Sequence, residues 1–227
     1  MKGVGDMDSI RRGEVPDFKV VYVDSLYDYV AKDDTEYANK VRDTIEALSG
    51  LCYITKENEM ELLVVKNRGV MTFGTAFHEK VHGLDYYMLS DYTGNSNLRE
   101  LQENVPFHYW TEFHAEYQTY MYLIKTNGLS DTPQKVADEF REKIQNVYSG
   151  LKVYLDDLLD VSIRQYGRYI ALQECYPELP IYKWNFYPNE SFMEIYIFLR
   201  KHRTFSSIME DMSEWDSLLA ATGQLQK

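Results

Sequence analysis

A chain of 227 residues with 44% apolar and 26% charged side chains has the make-up of a globular protein, and is too apolar to remain disordered. Its longest aliphatic run, residues 62–65, falls far short of the ~20 residues a membrane span needs. The net charge of −12 is spread along the chain, with 13 basic and 21 acidic side chains over residues 1–130 and 11 and 15 over residues 131–227. Neither part offers a basic stripe to a phosphate backbone, which excludes direct nucleic-acid binding as an expectation. The polar stretch 1–15 holds no apolar segment from which a secretory signal could be read, so a cytoplasmic protein is expected.

The predicted elements follow in chain order. Residues 1–16 read as a flexible lead ending at Pro16. Residues 18–23 are β-branched and aromatic, and predict a strand. Asp33 or Asp34 caps a predicted helix to about Leu48, with Tyr37, Val41, Ile45 and Leu48 on one face. Residues 51–55 and 60–66 predict two strands of a hairpin, the second a natural edge for an extended peptide to pair with. A helical pattern over residues 72–90 follows Gly69, then a polar loop with Gly94, Asn95 and Asn97, then a helix from Pro106 to about Lys125. From Asp131 the pattern is helical throughout. Val136, Phe140, Ile144, Val147, Leu151, Tyr154 and Leu158 form a seam, with Gly150 and Gly167 placed to bend or split it. Asn189 caps a further helix through Leu199, and a last one covers about residues 206–221. This predicts a mostly helical α+β protein: a lead (1–16), a mixed core (17–130) and a helical extension packed on it (131–227).

Two cysteines, Cys52 and Cys175, fit no metal-binding or redox spacing and read as buried thiols. The 20 tyrosines are the unusual entry in the composition. Packing at the edge of a core accounts for many, and a tyrosine-rich helical half can also grip a protein partner.

The chemistry concentrates at His78-Glu79-Lys80-Val81-His82, an HExxH. Residues four apart lie about 40° apart around a helix and one turn along, so both imidazoles reach one ion. The intervening Glu79 is placed to take a proton from a metal-bound water. With 5 histidines in 227 residues, composition alone yields such a pattern only about 0.01 times per chain. A third ligand is found in Glu112, on a predicted helix where Glu116 shares its face and Phe113, Tyr117, Tyr120 and Ile124 form an apolar stripe. Buried carboxylates beside such a stripe require a cationic partner. A Zn²⁺ ion on Glu112, and a ligating histidine's ring N–H on Glu116, would supply it. Asp85, one turn beyond His82, is an alternative ligand from the same helix, and His108 and His114 flank the glutamate helix. A metzincin would need histidine where this chain has Met88.

The segment from Thr75 to His82, followed by Glu112-Phe-His-Ala-Glu116, resembles the small gluzincin metallopeptidases. Among these it is most similar to ImmA/IrrE-type proteins and the antirestriction-type zincin domains of phages and mobile elements. The resemblance covers about half the chain and involves nothing after Asp131. It implies a minimal zincin-like core and a zinc-dependent hydrolase acting on a protein or peptide. His78, His82 and Glu112 would be its metal ligands and Glu79 its general base. The position after the glutamate is usually apolar in zincins and is Lys80 here, which leaves Phe77, Val81 and Leu84 to pack the helix. The alternative expectation is a catalytically inactive relative that binds a partner through its helical half.

Overall fold

A computed structural model describes residues 18–66, 71–126, 155–177 and 190–222, together with the single positions 132, 134, 135, 138 and 142. It is mostly helical with one small mixed sheet, an α+β architecture. By packing, the chain groups into two compact units, Met1–Asn104 and Val105–Lys227. The expected lead at 1–16, Gly69, Gly150, the seam positions Val136 to Tyr154 and the Asn189 cap lie outside the described residues.

The first unit holds the sheet. Strands β1 (Val20–Val23), β2 (Gly50–Ile54) and β3 (Met60–Val65) lie in the order β1-β3-β2. β3 runs parallel to β1, with Val20 opposite Leu62, and antiparallel to β2, with Cys52 opposite Leu62. The hairpin is therefore as expected, but β3 is the central strand. Both its edges are already paired, so it cannot accept an extended peptide as the sequence suggested. The outer edges belong to β1 and β2, and on β2 two outward carbonyls are occupied: Cys52 O accepts from Gln102 Nε2 and Ile54 O from Arg99 Nη2.

Successive strand residues point to opposite faces, and Leu62, Leu63 and Val64 are all fully buried, so β3 is covered on both sides. On one face Leu63, Tyr53 and Val23 pack with Leu26 and Val30 of α1 (Leu26–Asp33), Ala38 of α2 (Thr35–Lys40) and Ile45 of α3 (Arg42–Ala47). The other face receives α4 (Met71–Thr93), where a Cβ on Gly83 would lie 3.2 Å from Met60 Sδ and 3.4 Å from Leu62 Cδ2. The hairpin turns at Asn58, whose φ of 64° is the left-handed conformation that asparagine tolerates. Its amide ties the turn to the start of α5 (Leu98–Gln102), donating to Ser96 O and accepting from Leu98 N–H.

The second unit is built from α6 (Val105–Lys125), α7 (Leu155–Cys175), α8 (Glu190–Lys201), α9 (Phe205–Glu210) and α10 (Met212–Ala221). α6 and α7 run in the same direction, since Phe113 meets Gly167 at one point and Met121 meets Cys175 two turns further along both. Gly167 does not bend its helix as anticipated; α7 is continuous through it. A Cβ there would lie 2.6 Å from Phe113 O and 3.0 Å from Tyr117 N, so the glycine lets the two backbones touch. Two fully buried tryptophans hold the remaining helices, and each indole N–H finds a carbonyl. Trp110 donates to His202 O and Trp215 to Pro106 O, with Phe198 stacked on Trp215 at 5.3 Å. No helix among the described residues is long and apolar enough to cross a membrane.

Candidate metal centre

α4 carries the HExxH as a continuous helix, and its inward residues Val81 and Leu84 are fully buried, as the pattern requires. The Nε2 atoms of His78 and His82 lie 3.0 Å apart, with the rings edge to face. Two nitrogens bound tetrahedrally to zinc at ~2.05 Å would be separated by about 3.3 Å, so the pair is already spaced as one edge of such a site. His82 is buried and His78 half-buried. Glu79 is buried as well, and its carboxylate lies against the start of β2. A Cβ on Gly50 would sit 2.6 Å from Glu79 Oε1 and 2.5 Å from Thr75 Cγ2, so only glycine leaves room for the side chain there.

α6 places Glu112 and Glu116 on one buried face, each only 6% exposed. Both carboxylates meet an arginine from α7. Arg168 binds Glu116 with a two-pronged grip, Nε to Oε2 at 2.8 Å and Nη2 to Oε1 at 2.6 Å. Arg164 Nη1 lies 2.9 Å from Glu112 Oε2, while its Nε donates to Asp160 Oδ2 at 2.8 Å. Burial works against the charge on Arg164, but Glu112, Asp160 and Glu116 outweigh it and raise its pKa. Arg168 is raised in the same way by Glu116. Burial also pushes the Asp160 carboxyl up, against the pull of Arg164.

His78, His82 and Glu112 make the group of potential metal ligands found among the described residues. Each offers one ligand atom, and these atoms lie within 4.8 Å of one another. Two imidazoles and a carboxylate suit a borderline ion with few ligands better than a hard one that demands a cage of oxygens. The donor set thus fits a divalent metal. Asp85 is fully buried but is not in this group. His114 is also outside it: its ring stacks on Trp110 at 4.8 Å, with Nε2 3.1 Å from the Gln118 amide nitrogen. His108 stands exposed on α6.

Arg164, Arg168 and Gly50 stand outside the residues expected at the site, and although no chemistry was expected after residue 131, α7 supplies both cations that meet the buried glutamates. A signal was present: the arginines recur at the same four-residue step as Glu112 and Glu116, so two matching helical faces were legible side by side. No family model, curated protein or solved structure matches this chain.

Proposed function

We propose that the chain is a zinc-dependent metallopeptidase of the gluzincin type, zincin-like in its core. The observation that carries this reading is the convergence of His78, His82 and Glu112 within 4.8 Å, with buried Glu79 on the same helix as the histidines. Those three residues would hold the ion, and a bound zinc would lower the pKa of a coordinated water to about 7 and polarise a peptide carbonyl. Glu79 takes the proton of the attacking water and passes it towards the leaving amine. Its buried setting against the β2 backbone keeps it from straying into solvent. Glu116, which the sequence offers as the acceptor for a ligating histidine's ring N–H, has both carboxylate oxygens on Arg168, and only a lone pair beyond those two bonds would remain for that role.

Metal content measured by mass spectrometry on protein purified without chelator tests the site. About one zinc per chain is expected for the wild type and far less for His78→Ala and Glu112→Ala. Glu79→Gln should keep the metal and lose cleavage of a denatured-protein or peptide-library substrate. A wild type that takes up no zinc on addition would overturn the metal site, and undiminished turnover in Glu79→Gln would overturn the mechanism. Zinc retention with no cleavage of any peptide would instead favour a binding protein. Among the described tyrosines of the helical half, Tyr166 and Tyr169 are buried while Tyr176 and Tyr196 are partly exposed.

A further inference from the structure

A metal ligand needs more than the right atom type. A glutamate on a helix has three rotatable bonds, and its carboxylate must be held in one plane, in its charged form, before the ion arrives. The partner that does this here comes from α7, and its geometry is specific. Arg164 is hydrogen-bonded through Nε to Asp160 one helical turn earlier, and its Nη1 stands in ion-pair contact with Glu112 Oε2 at 2.9 Å. A guanidinium anchored at Nε has little freedom to swing, so its charge is held at one place beside the carboxylate oxygen it touches. Gly167 lies between the two arginines and brings α7 into backbone contact with α6, which sets the distance the arginines have to span.

Resting on the metal-site reading above, we propose that Arg164 is the positioning residue for the ligand Glu112. Its guanidinium, anchored by Asp160, holds Oε2 by charge, so that Glu112 meets the ion through its other oxygen. Arg164 touches neither substrate nor metal in this role; it acts through Glu112. A competing effect is present, because a fixed cation near a divalent ion repels it. The net local charge before loading decides which dominates. Glu112, Glu116 and Asp160 against Arg164 and Arg168 leave one negative charge in excess, so the repulsion is offset and the ordering of the ligand prevails.

The test is a competition titration of zinc against a chromophoric chelator, with the visible spectrum of the cobalt-loaded protein recorded alongside. Arg164→Gln should bind zinc about 10- to 100-fold more weakly than the wild type, the usual consequence of losing a partner of a metal ligand. Its cobalt absorption should also change in band position and intensity, because a released carboxylate is free to bind through both oxygens. Arg164→Lys keeps the cation opposite Glu112 and Asp160, and so serves if the glutamine variant does not fold. It lacks the planar fork, and should lose about 3- to 10-fold in affinity with a smaller change in the same spectrum. Wild-type affinity and an unaltered cobalt spectrum in the folded variants would overturn the inference while leaving the metal site intact. Tighter zinc binding in Arg164→Gln would also overturn it, marking the arginine as a competitor of the metal. Failure of the wild type to bind either metal would overturn the site and this inference together.

Discussion

Glu79 and Gly50 form a pair in which one side chain has its place only because the other residue has none. The glutamate sits where a Cβ on residue 50 would lie 2.6 Å from Oε1 and 2.9 Å from Cγ. Gly50→Ala must therefore displace either the Glu79 carboxylate or Thr75, whose Cγ2 is equally close at 2.5 Å. Overpacking of this kind costs about 1–3 kcal/mol, and urea denaturation should show that loss. Thr75→Ser removes the methyl group but leaves the glutamate. Gly50→Ala/Thr75→Ser should then recover part of the stability without recovering turnover, since the remaining conflict falls on Glu79, the proposed general base. Additive effects in this cycle would show that the two residues do not share the space the geometry gives them.

Among the elements, the run from Leu26 to Ala47 shows best how local chemistry shapes the first unit. Asp34 ends α1 and begins α2: its Oδ1 accepts from Tyr37 N–H at 3.0 Å, and its Oδ2 meets Arg99 Nη1 at 3.2 Å. The Tyr37 N–H, then the Arg99 and Lys56 cations, hold the Asp34 carboxyl below its ordinary value despite the counter-effect of burial. A carboxyl with a depressed folded pKa stabilises the protein above its unfolded pKa of ~3.9, and that stabilisation fades as pH falls through the lower folded value. Asp34→Ala should cost about 1–2 kcal/mol near neutral pH, where both cap and ion pair are lost. Asp34→Asn keeps a capping oxygen and should cost about 0.5 kcal/mol, the ion pair being discounted for the exposure of Arg99. Urea titrations at pH 7 and pH 3 should show the wild type converging on Asp34→Asn in acid; parallel curves at both values would contradict the assignment.

The same run shows what the sequence made legible. A cap at Asp33 or Asp34 was readable because an acidic residue stands before an apolar pattern. The single helix to Leu48 was not: the chain breaks at Val41, with φ −115° and ψ 21°, into α2 and α3. The expected face ran through Tyr37, but Ala38 is the buried residue and Tyr37 is 38% exposed, because a small side chain lets the helix lie close to α1. The last predicted helix divides likewise at Asp211 into α9 and α10. α5 went unseen because one turn capped by Asn97 looks like loop composition. The HExxH spacing and the Glu112–Glu116 step survive such errors, since each depends only on helical geometry over five residues. Which strand lies in the middle of a sheet depends on contacts more than forty residues apart, where periodicity carries no information, and the matching four-residue steps of the arginines and glutamates do not by themselves say that the two faces meet.

For the whole molecule, the net charge of −12 and the three-ligand group make different predictions about divalent cations. A strongly acidic surface gathers any cation weakly and without order, an effect that salt screens. A built site binds one ion that suits its donors, and binding to the folded state alone stabilises it by about 2.7 kcal/mol at a hundred times the dissociation constant. For a chain of this size that is roughly 5–10 °C in melting temperature. Zinc should give the wild type this increment at moderate salt. Magnesium, which prefers oxygen ligands and keeps its waters, should give almost none. Glu112→Ala is the decisive comparison, although it leaves Arg164 with Asp160 alone and so lowers the metal-free melting temperature through a broken buried pair. The quantity to compare is therefore the increment on adding zinc. It should vanish in Glu112→Ala if Glu112 is a ligand. If it persisted undiminished in that variant, zinc would be acting through surface charge or through the histidines alone.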